Sequence, residues 1–152
     1  IDATSVEPPD HKKAQDAGMR VLANMEEMNV PFQHTGLVTT RSQLAKSPDV
    51  SRRVVKSFLE GIHLAMTNAE VSKQAFRRYI RLQQDREQEE ALQVLRSFLP
   101  RKPYPTFEGF KAVFAELAEQ IPAAKSADPK DFVDTRFLEE LDRSGYIDGL
   151  YR

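Results

Sequence analysis

Residues 33–66 read QHTGLVTTRSQLAKSPDVSRRVVKSFLEGIHLAM. The pattern changes character inside this stretch. Leu37 and Val38, followed by Thr39 and Thr40, form a β-prone run. Residues 33–40 are therefore expected to make a strand. After Arg41 the sequence turns helical. Ser47 before Pro48 places an N-cap ahead of a proline at the first helical position. Val50, Val54, Val55, Phe58, Leu59, Ile62, Ala65 and Met66 then recur at three- and four-residue spacing. Ser51, Arg52, Arg53, Lys56 and Glu60 occupy the other face. This is the strongest helical period in the chain.

Upstream, residues 1–6 are short and β-leaning, and Pro8-Pro9 stops them. A polar stretch, DHKKAQDAGM (10–19), has a weak apolar face of Ala14, Ala17 and Met19. Gly18 stands where a helix ends. RVLANM (20–25) is a second short apolar run. Strand, helix, glycine and strand give a compressed βαβ-like beat.

Downstream, Val71, Ala75, Phe76, Tyr79 and Ile80 mark another helix, and Leu92, Leu95, Phe98 and Leu99 a third. Pro100, Pro103 and Pro105 stiffen a turn. Thr106 is placed to cap a helix whose stripe is Phe107, Phe110, Val113, Phe114, Leu117 and Ile121. Asp128-Pro129 repeats the cap-plus-proline start, and Gly145 closes the last helix. The expected fold class is α/β and predominantly helical, with a few short strands at the N-terminus. Residues 1–32 form one part and 33–152 the other.

The chain has 152 residues and a formal net charge of -1. That balance gives no argument for a nucleic-acid or anionic-membrane partner. There is no Cys, which excludes disulfide scaffolds, thiolate metal sites and cysteine nucleophiles. No apolar run is long enough to span a bilayer. No signal-peptide pattern is present.

Candidate chemistry is sparse. His11, His34 and His63 lack metal-ligand spacing. Glu26-Glu27, Glu87-Glu89-Glu90 and Glu139-Glu140 read as solvated helix faces. The phosphate-binding glycine motifs and the nucleophile-elbow motif do not occur. Arg77, Arg78, Arg81 and Arg86 surround Tyr79, but the acidic residues that follow point to ion pairs rather than nucleic-acid contact. TSVEPPD (4–10) sets hydroxyls and a carboxylate at a strand's C-terminal end, where α/β sheets hold ligands. On composition alone, a plain strand-to-helix turn is the favoured reading. QHTGLVTT (33–40) is either an ordinary strand or a hinge strand, bent at Gly36.

Taken in order, IDATSVEPP (1–9), KKAQDAGMRVLANM (12–25), HTGLVTTRSQLAKSPDVSRRVVKSFLEGIHLAMTN (34–68) and PTFEGFKAVFAELAEQIPAAKSADPKDFVDTRFLEELDRSGYIDGLY (105–151) resemble one family. It is the substrate-binding proteins of nitrate/sulfonate/taurine-type ABC importers, a group that includes thiamine-pyrimidine-precursor binders. The resemblance covers nearly the whole chain and corresponds to the C-terminal portion of such proteins.

The resemblance implies the C-terminal portion of a type-two periplasmic-binding-protein fold. Residues 1–32 would be a remnant of the second lobe. Residues 33–152 would be the hinge strand and helical part of the first. It implies solute binding without chemistry, no cofactor, ABC permease subunits as partners and a periplasmic or extracytoplasmic location. The chain would be a fragment or a truncated paralogue. Ligand-facing candidates are Thr4, Ser5 and Glu7, with Thr35 and Gly36 beside the hinge. The alternative is a helical interaction module that self-associates through its apolar stripes and exposed strand edge.

Overall fold

The computed structural model describes residues 2–6, 10–24, 27–28, 31, 33 and 35–152. Ile1, Glu7, Pro8, Pro9, Met25, Glu26, Asn29, Val30, Phe32 and His34 lie outside the described residues. So parts of the three expected strands, and the ligand-facing candidate Glu7, are not described.

Among the described residues there is no strand, and the ordered elements are helical. This corrects the expected α/β class and, with it, the periplasmic-binding fold with N-terminal strands. Residues 2–6, 19–24 and 35–40 are exposed and irregular. The physical reason is pairing. Propensity for β structure expresses fit to a half-buried pleated surface, and a strand exists only beside another. A helix satisfies its backbone within its own segment, so the helical runs need no such neighbour.

The chain divides into two compact units. The first comprises Ile1–Asn24 and Gly61–Arg101. It contains α1 (Asp10–Asp16), the last turns of α3 (Pro48–Thr67), α4 (Ala69–Ala75) and α5 (Asp85–Phe98). Asn68 caps α4, its side-chain oxygen accepting from Val71 N–H at 3.1 Å. A π-turn, Phe76–Ile80, follows α4 and ends at Arg81, which is left-handed with φ 58°. Ile62, Ala91 and Leu92 are the buried hydrophobic residues of this unit. Arg96 Nε donates to the Ala65 carbonyl at 3.0 Å and joins α5 to α3. Lys73 bridges Asp85 (3.1 Å) and Glu89 (2.9 Å), joining α4 to α5.

The second unit comprises Met25–Glu60 and Lys102–Arg152. It holds α2 (Arg41–Lys46), the first turns of α3, α6 (Phe107–Leu117), two 3₁₀ turns (Pro122–Ser126 and Pro129–Asp131), α7 (Arg136–Arg143) and α8 (Tyr146–Leu150). Thr40 caps α2 and Thr106 caps α6 through their hydroxyls. The helix expected from Asp128-Pro129 is only a 3₁₀ turn; α7 begins at Arg136. Gly145, at φ 74°, stands left-handed between α7 and α8, so it opens a further helix rather than closing the last one. Leu59, Leu138, Leu141 and Ile147 form the core, with Val55, Tyr146, Leu150 and Tyr151 packed against it. A smaller aromatic group stacks Phe114 on Phe110 and, edge-on, on Phe132.

The stripe of α3 therefore splits. Val55, Leu59 and Ile62 turn inward, whereas Val50, Val54 and Phe58 are exposed. Neither unit covers all the apolar surface that its helices carry.

Candidate functional site

The sequence-derived candidates do not converge within either unit. Thr4 and Ser5 are exposed members of the first unit, where the Thr4 hydroxyl donates to the Ser5 carbonyl at 3.5 Å. Thr35 and Gly36 are exposed members of the second. There Gln33 Nε2 donates to the Thr35 carbonyl at 2.8 Å, and a Cβ added at Gly36 would meet the same amide nitrogen only at 4.0 Å, an ordinary van der Waals distance. Glu7 lies outside the described residues. No single unit contains the whole set.

The C-terminal motif builds something different. Asp142 of α7 receives Lys102 Nζ at 2.7 Å and the Tyr104 hydroxyl at 3.0 Å. Lys102 also reaches Asp148 of α8 at 3.1 Å. The stiff turn before α6 is thereby clasped to the last two helices. The Lys102 ammonium and the Tyr104 hydroxyl hold the Asp142 carboxyl below its usual range. Asp142 and Asp148 in turn raise Lys102. Burial raises Tyr104, and its bond to Asp142 adds to that.

A second set joins α3 to the same helices. The Tyr146 hydroxyl donates to Glu60, and the Lys56 ammonium lies 4.7 Å from the centre of the Tyr146 ring. Arg52 Nε donates to both Glu140 oxygens, at 2.9 and 3.1 Å. Its guanidinium also lies 5.7 Å from the centre of the Phe137 ring. These groups are spent on one another. Their arrangement holds helices in place.

Desolvation, followed by the bond to Glu60, pushes the Tyr146 phenol up to about 12. The neutral phenol is thus favoured in the folded chain. Stability from this contact is fully present below pH 10, the ordinary tyrosine value, and is lost as pH rises through about 12. We expect the absorbance titration at 295 nm to contain a step near pH 12 that Tyr146→Phe removes. Absence of that step would show that the Tyr146 phenol is not buried against Glu60 as described.

In the first unit, a shallow groove of about 140 Å³ is lined by Lys12, Lys13 and Asp16 of α1 and by Arg86, Glu87 and Glu90 of α5. Lys12 pairs with Asp16, Lys13 approaches Glu87 at 3.9 Å, and Arg86 binds Glu90 at 3.0 Å. The groove's charges neutralise each other. Among the described residues, no group of three or more His, Asp or Glu side chains could hold a metal ion. Nor is any described helix long and apolar enough to cross a membrane.

The clasp and the Tyr146–Glu60 contact escape sequence reading. Their members stand far apart in the chain, and no local spacing announces them. The only available signal is the density of paired polar residues in RKPYPT and LDRSGYID.

No family model, curated protein or solved structure matches this chain.

Proposed function

We propose that this chain is part of the solute-binding component of an ABC-type importer of the nitrate/sulfonate/taurine-like class. It would act outside the cytoplasm, as a fragment or truncated paralogue, and deliver a small molecule to permease subunits without chemistry. The observation that carries this reading is the order and spacing of four motif segments across nearly the whole sequence. Two features of the structure are in keeping with it. The polar clusters are committed to holding helices, which suits a scaffold rather than a catalyst. The exposed Val50, Val54 and Phe58 of α3 form apolar surface of the kind that further polypeptide covers.

Thermal unfolding of the protein made from its entire reading frame tests the reading. The panel is sulfonates, nitrate-like anions, aromatic acids and pyrimidines. A ligand that binds only the native state, at 100 times its Kd, adds about 2.7 kcal/mol. We expect one chemical class to raise Tm saturably. A flat response across all four would remove the proposal.

A second reading is a helical interaction module. It is favoured by the same uncovered α3 residues, together with Leu37 and Val38.

A further inference from the structure

Residues 28–40 contain no Asp, Glu, Lys or Arg, in a chain where 30 % of residues are charged. Within this run, Gly36, Leu37, Val38 and Thr39 are exposed, Val38 at 95 %. Among the described residues, none of these four makes a hydrogen bond with another. Both ends of the segment are tied to the second unit. Upstream, Gln33 accepts from Thr106 N–H at 3.4 Å while donating to the Thr35 carbonyl. Downstream, Thr40 is extended (φ -94°, ψ 152°) and caps α2, and Arg41 donates to the Asp131 carbonyl at 2.7 Å. A β-prone backbone is therefore held out to solvent between two anchors. Proteins normally blunt such an edge with lysine, proline or a covering element. None of these devices is present from residue 36 to residue 40.

We propose that residues 36–40 pair with the same residues of a second copy, as an antiparallel ribbon centred on Val38. The sequence GLVTT is self-complementary in that register. Val38 faces Val38 and Leu37 faces Thr39, so β-branched or aliphatic side chains meet at the centre of the ribbon, and Gly36 faces Thr40 at its ends. Charge permits it as well. The nearest formal charge is Arg41, three residues from the centre, so the two Arg41 backbone positions would stand about 20 Å apart along the ribbon. That exceeds the screening length of about 8 Å at physiological salt. A pairing on a two-fold axis also closes at two copies, using one exposed segment from each. This inference does not rest on the solute-binding reading, since it requires no ligand and no other polypeptide.

The absence of Cys makes a direct test available. In the proposed register, Val38 side chains sit opposite each other with Cβ atoms about 5 Å apart, whereas Leu37 side chains are diagonal neighbours at about 7–8 Å. Under mild oxidation, Val38→Cys should form a disulfide-linked dimer at least about tenfold faster than Leu37→Cys. Equal rates, or no dimer from either variant, would overturn the register. Light scattering gives the independent arm. The mass of the unmodified chain should rise above 17.3 kDa with concentration. Val38→Pro, which removes a backbone donor at an exposed position, should hold it at the monomer value with an unchanged helical circular-dichroism spectrum. A wild-type chain that stays monomeric overturns the proposal. So does association that survives Val38→Pro, which would place the contact on the helices instead.

Discussion

Leu59→Ala is expected to cost about 2–5 kcal/mol of unfolding free energy. Leu59 is 1 % exposed and packs in the core of the second unit with Leu138, Leu141 and Ile147. Truncation removes the transfer energy of the lost carbons and leaves a cavity. Three of the surrounding core residues sit on the short helices α7 and α8, which are fixed by the Lys102–Asp142–Asp148 clasp. Those helices have little freedom to collapse into the gap, so the cost should fall in the upper part of the range. Whole-domain stabilities are only about 5–15 kcal/mol, so the variant should lose a large share of its margin. Urea unfolding followed by helical circular dichroism measures it. A loss below about 1 kcal/mol would mean that Leu59 is not buried as described.

Gln88→Leu should be the most damaging polar substitution. Gln88 is 0 % exposed and uses both ends of its amide. Its oxygen accepts from Arg77 Nη1 at 3.0 Å, and its nitrogen donates to the Leu82 carbonyl at 2.8 Å. Leucine has a similar volume but orphans a guanidinium N–H and a half-buried carbonyl. Each unsatisfied group costs about 1–3 kcal/mol. Arg77 keeps its contact with Glu70, so the larger loss is expected at Leu82. That carbonyl lies in the loop after the π-turn, beside the left-handed Arg81. A left-handed non-glycine residue is held by its surroundings at a cost of about 1–3 kcal/mol, and Gln88 is one such restraint. Gln88→Glu separates the two bonds. It retains an acceptor for Arg77 and loses the donor to Leu82, so its urea midpoint should fall between those of the wild type and Gln88→Leu. Equal midpoints for the wild type and Gln88→Leu would contradict the network.

The helices were largely legible in the sequence because their evidence is local. Pro48 opens α3, and Thr106 caps α6, where cap chemistry and a 3.6-residue period place them. Which residues of the α3 stripe turn inward was not legible. Val54 and Val55 look alike in the pattern, yet only Val55 packs on the core. The strands misled for a related reason. Leu37, Val38, Thr39 and Thr40 have strand propensity, but a strand needs a neighbour that propensity cannot supply. The π-turn at Phe76–Ile80 left no trace in the apolar period either; Tyr79 and Ile80, which fall on the apolar stripe by spacing, are exposed.

The candidate site shows the same division. Thr4, Ser5, Glu7, Thr35 and Gly36 stand in short stretches, and the four that are described fall in two separate units. The polar contacts that organise the second unit join Glu60 to Tyr146 and Lys102 to Asp142 and Asp148. Those pairings arise from helix packing, which no single segment encodes.

The functional account is tested most directly by titration calorimetry. The four ligand classes are injected in parallel into the protein from the entire reading frame and into the 152-residue chain. The account predicts saturable heat at one site per molecule for one class with the former. It predicts none with the latter, whose described candidate residues are exposed. Failure of every class to bind the protein from the entire frame would contradict solute binding. Equal affinity for the 152-residue chain would contradict the proposal that it is one part of the binding component.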